Sequence, residues 1–258
     1  MSEAQTEDDV TERRFLGARR RVLPSSGGRW PDVLCTSGRW FWYNDVAMRH
    51  HWFFDFDGTL CDTETDIKEA WRTAIRGLGR TCPQFDRIYR TGPTLDQVTY
   101  MLFDDATPEL VARIRELFGP AYDQSGFPNT RPYPWVPAWL AALRAHGCHL
   151  YVATNKRWKP LKALRTRLGW EEVFDGWYAF DMYEGRRLTK AELLKHVLQE
   201  RGIAPTDAVM VGDTAGDVAA GQAAGMYTIG CTWGYGSRAE LEGANEIYDA
   251  RRFLQEGR

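Results

Sequence analysis

Two short acidic segments carry the residue types in this sequence that are best suited to catalysis. Asp55 and Asp57 follow one apolar run, and Asp213 and Asp217 follow another. Carboxylates gathered at neighbouring strand ends repel one another unless a cation or a shared proton compensates for the repulsion. A set of oxygen ligands with room for water suits Mg²⁺. The two segments together therefore predict a Mg²⁺ site, although either one alone could be a solvated turn.

Two other segments could bind an anion. Thr154 and Asn155 end a third apolar run, where a hydroxyl group and backbone amides can form a phosphate cradle or simply begin a helix. Thr189, Lys190 and Glu192 form a capping-box pattern that places Lys190 in the first turn of a helix. Because a cation at this position opposes the helix dipole, a nearby anion would explain the lysine. An ordinary surface lysine is the alternative.

Short apolar runs alternate with helical patterns along most of the chain. This alternation predicts parallel crossovers, and so an α/β fold with a doubly wound parallel sheet. Because ligands bind at the carboxyl ends of the strands in such sheets, we expect the polar residues after the runs to meet there. The predicted strands are 51–56, 149–153, 177–180, 208–211 and 226–230.

The stretch between the first two predicted strands is much longer than a direct crossover requires. It contains no convincing strand pattern. We therefore predict a core formed by residues 48–63 and 131–258, with a helical insert at residues 64–130. An insert that leaves from the carboxyl end of the first strand would overhang the site, which makes it a candidate lid. Its helical patterns are 66–77, 95–103 and 108–118.

Residues 1–47 lack sustained periodicity of either kind and are predicted to be disordered or loosely attached. Met48 is an alternative start of translation, since the first strand begins almost directly after it. Trp30, Trp40 and Trp42 argue against complete disorder, because disordered segments are usually poor in aromatic residues.

The composition of the chain argues against several classes of protein. Its 258 residues carry a formal net charge of -2, which gives no electrostatic basis for general nucleic-acid binding. No apolar run approaches the ~20 residues of a membrane span. The five cysteines form no C-x-x-C pair, which argues against a zinc site or a disulfide framework. Reduced thiols are expected, and with them a cytoplasmic location.

An arginine row stands out in the predicted insert. Arg72, Arg76 and Arg80 recur every four residues along a helical pattern. Such a row is typical of a solvated helix face, although it could also meet a substrate carboxylate under the lid.

Taken in order along the chain, the four patterns resemble the haloacid dehalogenase-like hydrolase superfamily. Its motifs are D-x-D-G-T, a Ser or Thr, a Lys, and an acidic loop G-D-x-x-x-D, and the similarity extends from Trp52 to Gly236. Within the superfamily the chain resembles the phosphoglycolate phosphatase group. That group usually has glycine at the position of Trp135, and this difference bears on which substrate can be assigned to the chain. The segments similar to the group are 91–95, 152–156, 190–194 and 232–235.

The resemblance implies a Rossmann-like core with a small helical cap, and a reaction in two steps. Asp55 would attack phosphorus in line and form an aspartyl-phosphate, while Asp57 protonates the leaving oxygen. Asp57 would then deprotonate the water that hydrolyses the intermediate. Since a halide leaving group needs no proton, the presence of Asp57 favours a phosphatase over a dehalogenase. Mg²⁺ would lie between Asp55, the backbone carbonyl group of Asp57 and Asp213, with Asp217 supporting it directly or through water.

The same resemblance implies roles for the anion-binding residues. Thr154 and the amide of Asn155 would hold phosphoryl oxygens, and Lys190 would neutralise charge shared by Asp55 and the phosphate. We therefore expect a Mg²⁺-dependent phosphatase whose partner is a small phosphorylated metabolite, with phosphoglycolate as the first candidate. A phosphosugar mutase with the same groups and a non-catalytic, phosphate-sensing regulator are the alternatives. The sequence predicts no nucleic-acid or membrane partner and leaves the oligomeric state open.

Overall fold

Strands and helices alternate in the computed structural model, which describes Val46, residues 49–183 and residues 186–250. Apart from Val46, the predicted extension at 1–47 lies outside the described residues, as does Met48. The strands are β1 (His51–Phe54), β2 (Cys61–Asp62), β3 (Arg131–Pro132), β4 (His149–Thr154), β5 (Gly176–Ala179), β6 (Ala208–Gly212), β7 (Tyr227–Cys231) and β8 (Glu246–Tyr248). The helices are α1 (Glu64–Gly77), α2 (Phe85–Ile88), α3 (Leu95–Leu102), α4 (Pro108–Asp123), α5 (Val136–Ala145), α6 (Trp158–Arg167), α7 (Lys190–Arg201) and α8 (Ala215–Ala223).

Six of these strands form a parallel sheet in the order β5–β4–β1–β6–β7–β8. At its centre Phe54 pairs with Val152 of β4 and Val211 of β6. Successive strand residues face opposite sides of the sheet, so Phe54 packs with α5 and α6 whereas Phe53 packs with α7 and α8. The predicted α/β fold with a doubly wound parallel sheet is confirmed.

All five predicted strands are present, with ends that differ by one or two residues. The expectation that no strand lies between the first two was wrong, because β2 and β3 pair there as antiparallel strands. Each has two residues, and so short a strand shows no periodicity in a sequence. The edge strand β8 also escaped the sequence analysis, since its Glu-Ile-Tyr is short and only partly apolar.

Four helices, α1 to α4, lie between the paired strands β2 and β3, and they enclose a hydrophobic cluster of their own. α4 continues to Asp123, beyond its predicted end at Phe118, and Pro120 lies inside it. The turn after the proline still closes, because the Gln124 amide donates to the Pro120 carbonyl group at 3.1 Å. Within the described ranges, none of the helices combines the length and apolar character that a membrane crossing requires. Buried members of the cluster include Trp71, Ile75, Phe85, Val98, Leu102 and Ile114.

Asp66, in the first turn of α1, binds the chain that leads into β3. Its buried carboxylate accepts hydrogen bonds from the amide and hydroxyl groups of Thr130, both at 2.7 Å, and from the amide of Asn129 at 3.2 Å. We expect Asp66→Ala to lower the free energy of unfolding by about 2–4 kcal/mol, because these buried donors lose their acceptor. Urea unfolding measures the change. Glu69→Ala, an exposed change on the same helix, should cost less than about 1 kcal/mol, and equal costs would contradict the role of Asp66.

Candidate active site

The three central strands of the sheet bring the predicted catalytic residues to one edge. Asp55 directly follows β1, Thr154 ends β4, and Asp213 directly follows β6. Because these strands are parallel neighbours, their carboxyl ends lie side by side. The amide of Asp55 also donates to the carbonyl group of Val211 at 2.9 Å. The two acidic loops therefore start from adjacent points of one rigid sheet.

Asp55, Asp213 and Asp217 converge into one buried carboxylate group. One oxygen atom from each lies within 4.8 Å of the others. Lys190 places its Nζ 3.0 Å from Asp55 Oδ1 and also donates to Asp217 Oδ1. The predicted capping box begins at Thr189, so the lysine does lie in the first turn of α7. A buried ammonium group thus offsets part of the charge of three carboxylates.

Burial makes the negative charges of this group costly. It raises the pKa of Asp213 to about 8, and the nearby carboxylates of Asp217 and Asp55 add to the rise. Burial also raises the pKa of Asp55 to about 6, although the Lys190 ammonium and the Thr154 hydroxyl pull it down. Burial alone would lower the pKa of Lys190, but the carboxylates raise it above its usual value. The group therefore carries more negative charge than the lysine balances.

Thr59 and Tyr235 hold the Asp213 side chain in place. The Thr59 hydroxyl donates to Oδ1 at 2.9 Å, and the Tyr235 amide donates to Oδ2 at 2.7 Å. Gly58 has a φ of 81°, and a Cβ atom there would lie 2.2 Å from Asp213 Oδ2. Only glycine suits this position, so the first acidic loop is shaped to receive a carboxylate of the second.

The donor set suits a hard divalent cation. All three side chains of the carboxylate group offer oxygen atoms, which are the ligands that Mg²⁺ prefers. The buried Asp55 Oδ1 lies 3.0 Å from the Lys190 ammonium, and in the described part of the chain no hydrogen bond of good geometry reaches it. A cation would use this oxygen and relieve the repulsion between the carboxylates. Asp55, Asp213 and Asp217 are therefore the side chains that could hold Mg²⁺.

Asp57 lies outside the carboxylate group and pairs with a second buried lysine. Lys156 Nζ donates to Asp57 Oδ1 at 2.7 Å and to the Tyr122 hydroxyl at 2.6 Å. Burial alone would lower the pKa of Lys156, but Asp57 and Tyr122 raise it above its usual value. The Asp57 carboxylate is thus bound to the lysine, and the contribution of the Asp57 backbone carbonyl group to Mg²⁺ binding stays a prediction.

Thr154 lies beside the nucleophile candidate, whereas the side chain of Asn155 points into solvent. The buried Thr154 hydroxyl accepts a hydrogen bond from the Lys156 amide at 3.1 Å and lies close enough to Asp55 to lower its pKa. Asn155 is exposed, so only its backbone amide is suited to a buried phosphoryl group. The structure thus brings Thr154 to Asp55, and the role of the Asn155 amide stays a prediction.

Residues from the helical segment also reach this edge of the sheet. Tyr122 of α4 contacts Lys156, and the next residue, Asp123, accepts two hydrogen bonds from Arg157 at 2.6 and 3.1 Å. A Cβ atom at Gly92 would lie 3.3 Å from Thr214 Cγ2, in the second acidic loop. Both contacts bring the segment between β2 and β3 against the acidic loops.

The arginine row of α1 has partners within the helical segment itself. Arg72 pairs with Asp86 at 2.5 Å, and Arg80 pairs with Asp105 at 2.8 Å. All four side chains are at least one-third exposed. The row therefore behaves as the solvated face that its spacing predicts, and the structure does not bring these arginines to the carboxylate group.

Three residues at the site had no role in the sequence analysis. Tyr122 comes from a helix far from the acidic loops in sequence, and no local pattern links it to them. Tyr235 and Lys156 stood inside segments similar to phosphoglycolate phosphatases, but a motif does not say which neighbour a side chain contacts. The sequence signal for Lys156 is its position, since this lysine directly follows Thr154 and Asn155 at the end of a mostly apolar run.

The chain is similar to known proteins in sequence and in fold. The sequence model of the haloacid dehalogenase-like hydrolase family matches residues 51–225. A phosphoglycolate phosphatase of Psychrobacter arcticus is 30% identical over 210 residues, which cover 76% of this chain and 90% of that protein. A 5'-nucleotidase of Pseudomonas aeruginosa is 32% identical over 203 residues, which cover 76% of this chain and 89% of that protein.

A solved structure from Clostridium acetobutylicum, described as that of a predicted phosphatase, has the same fold. Its TM-score is 0.72, its identity is 24%, and the match covers 81% of this chain and 97% of that one. The family and the hydrolase class inferred from the motifs are both confirmed by these matches. The chain belongs to the haloacid dehalogenase-like hydrolase family, in which it is similar to phosphoglycolate phosphatases.

Proposed function

We propose that this protein is a Mg²⁺-dependent phosphatase that hydrolyses a small phosphomonoester through an aspartyl-phosphate on Asp55. The observation that carries the proposal is the different environment of two carboxyl groups in one loop. Asp55 lies in the carboxylate group beside Lys190, whereas Asp57 lies outside it and pairs with Lys156. Two acidic groups whose surroundings differ in this way can take the separate roles of nucleophile and proton donor.

In the first step the Asp55 carboxylate attacks phosphorus. The new bond joins the aspartate oxygen to phosphorus, and the bond between phosphorus and the leaving oxygen breaks on the opposite side. Asp57, in its protonated form, gives its proton to that leaving oxygen, which departs as an alcohol. Asp57 can do so because it follows Asp55 by two residues in the same loop and is still partly exposed.

In the second step Asp57 acts as a base. It takes a proton from a water molecule, whose oxygen attacks the phosphorus of the aspartyl-phosphate. The bond between phosphorus and the Asp55 oxygen breaks, which frees inorganic phosphate and restores the Asp55 carboxylate. Asp57 ends the cycle protonated, as it began.

The surrounding groups bind and neutralise the phosphoryl group. The Thr154 hydroxyl, with the amide of Asn155, would donate hydrogen bonds to phosphoryl oxygens, and the Lys190 ammonium would balance their charge. Asp55, Asp213, Asp217 and the backbone carbonyl group of Asp57 would hold Mg²⁺. When bound, the ion supplies charge neutralisation between an anionic nucleophile and an anionic substrate.

The helical segment, residues 64–130, is proposed to be a cap over this site. Its support is the contact of Tyr122 with Lys156 and the close approach of Gly92 to the second acidic loop. A cap of this kind would exclude bulk water and contact the leaving group of the substrate.

A cytoplasmic location belongs to the same proposal, since the four described cysteines are free thiols.

A phosphatase assay against a panel of metabolites, with and without Mg²⁺, tests the proposal. The panel contains 2-phosphoglycolate, a nucleoside 5'-monophosphate, a hexose 1-phosphate and p-nitrophenyl phosphate. The first two are chosen because relatives of this chain are a phosphoglycolate phosphatase and a 5'-nucleotidase. We expect Mg²⁺-dependent phosphate release, with 2-phosphoglycolate hydrolysed with the highest kcat/KM.

Each alternative gives a different result in this assay. An isomeric hexose phosphate formed without free phosphate would identify a mutase. No phosphate release from any substrate, with or without Mg²⁺, would favour a non-catalytic phosphate-binding protein. Release that does not depend on Mg²⁺ would contradict the proposed metal site.

A further inference from the structure

Two buried lysines contact different acidic side chains of the site. Lys190 contacts Asp55 and Asp217, which belong to the carboxylate group. Lys156 contacts only Asp57 among these acids, at 2.7 Å. The proposed mechanism gives Lys190 a task at the phosphate but leaves Lys156 without one.

Lys156 is held tightly in its place. Its side chain is 3% exposed, and its Nζ lies 4.6 Å from the centre of the Tyr122 ring and 5.6 Å from that of Phe56. An ammonium group so deeply buried is costly unless hydrogen-bond acceptors surround it. Its two acceptors are the Asp57 carboxylate and the Tyr122 hydroxyl, so moving either one would leave the charge poorly satisfied.

Two aromatic rings pack against Tyr122. Its ring stacks on Phe118 at 5.8 Å and meets Phe127 edge-on at 5.1 Å. The adjacent Asp123 is bound to Arg157, the residue after Lys156. Two consecutive residues of α4 therefore contact two consecutive residues of the loop after β4, and the Tyr122 hydroxyl has a defined position relative to Lys156.

We propose that Lys156, anchored by Tyr122, is a positioning residue that orients the Asp57 carboxyl group for proton transfer to the leaving oxygen. The inference rests on the function proposed above. Because Lys156 occupies Oδ1 of Asp57, the transferred proton resides on Oδ2. The Oδ2–H bond breaks as the leaving oxygen takes the proton, and Oδ2 receives a proton from water in the second step. Lys156 keeps its own protons throughout.

The test compares two substrates that differ in their need for a proton donor. The alkoxide that leaves 2-phosphoglycolate must be protonated, whereas the p-nitrophenolate ion departs without help. The full-length Lys156→Met variant is assayed with both, and kcat/KM is used because it reports the first phosphoryl transfer. We expect kcat/KM for 2-phosphoglycolate to fall by about 10–100-fold more than kcat/KM for p-nitrophenyl phosphate, a part of the 10²–10⁴-fold that a general acid contributes.

Two further variants separate positioning from structural support. Arg113→Met removes an exposed cation of α4 that pairs with Glu116 and leaves Lys156 and Tyr122 unchanged, so the ratio of the two kcat/KM values should stay at the wild-type value. Tyr122→Phe keeps the ring packing and removes only the hydroxyl, so the ratio should change in the same direction as in Lys156→Met, by a few-fold. Circular dichroism and thermal melting report whether each variant is folded.

The outcomes decide the inference. An equal loss for both substrates in folded Lys156→Met would overturn it, because lost packing slows both reactions alike. If Lys156→Met does not fold, the ratio in Tyr122→Phe decides, and an unchanged ratio overturns the inference. A wild-type protein that releases phosphate from neither substrate would instead refute the proposed function.

Discussion

Asp55→Asn is expected to lower the rate of phosphate release by about 10⁴-fold or more while the protein stays folded. The asparagine amide is a poor nucleophile and cannot form the aspartyl-phosphate. The fold should survive because asparagine has nearly the same shape and removes one charge from a crowded carboxylate group, while Lys190 keeps its contact with Asp217. Steady-state phosphate release and a thermal melt measure the two effects.

Asp105→Asn is a matched control for this variant. It makes the same chemical change at an exposed carboxylate that pairs with Arg80 on the helical segment. Its activity should stay within about two-fold of the wild type, as is usual for a surface change of this kind. A beryllofluoride adduct, or a phosphoryl group found by mass spectrometry on Asp55 of the wild type, adds an independent readout. Mg²⁺-dependent hydrolysis retained by Asp55→Asn would refute the proposed nucleophile.

The sheet could be predicted from the sequence because its physical cause is local. A parallel strand is buried on both faces, so each central strand is a short apolar run that stands out from the amphipathic helices around it. The candidate catalytic residues Asp55, Thr154 and Asp213 stand at the ends of these apolar runs in β1, β4 and β6. The sequence therefore also indicates the sheet edge at which they meet. Both the strand type and the edge follow from neighbouring residues alone.

Elements set by long-range pairing could not be predicted in this way. β2 and β3 are held together by an antiparallel bridge between residues 61–62 and 131–132, which neither segment indicates alone. The continuation of α4 past Pro120 depends on packing as well, since Tyr122 at its end is buried against aromatic neighbours. Tertiary contacts outweigh the local signal at both places.

The pairing of lysines with carboxylates was equally hidden. The sequence places Lys156 after a strand pattern and Lys190 at the start of a helix pattern. From these positions either lysine could have contacted Asp55. The structure separates them: Lys190 contacts Asp55, whereas Lys156 contacts Asp57 and Tyr122, a residue of the helical segment. This division of partners is what makes the two carboxyl groups of the first acidic loop chemically different.

Asp213→Asn is expected to stabilise the metal-free protein at alkaline pH and to abolish its response to Mg²⁺. Burial and the carboxylates of Asp217 and Asp55 raise the pKa of Asp213 from 3.8 to about 8. An acid whose pKa is higher in the folded state binds its proton more tightly there, so the unfolded chain loses the proton first as the pH rises. The metal-free wild type should therefore lose stability between about pH 4 and pH 8, and Asp213→Asn should lack this loss.

Asparagine can keep both hydrogen-bond contacts of this aspartate. Its carbonyl oxygen can accept from the Tyr235 amide, and its NH₂ group can donate to the Thr59 hydroxyl, which rotates to become an acceptor. A gain of about 1 kcal/mol at pH 8 would raise Tm by roughly 2–4 °C in a protein of this size. Thermal melts in EDTA across this pH range measure the difference.

Addition of Mg²⁺ should reverse the order of stability, so that the wild type melts at a higher temperature than Asp213→Asn. The ion should raise the Tm of the wild type, because it binds the folded state and neutralises the repulsion among Asp55, Asp213 and Asp217. Asp213→Asn should show little change in Tm, and its phosphatase activity should fall by about 10²-fold or more, because its site holds the cation weakly. An equal rise in Tm for both proteins would place Mg²⁺ elsewhere in the chain. A metal-free Asp213→Asn that is less stable than the wild type at pH 8 would show that Asp213 is not the costly charge inferred from its burial.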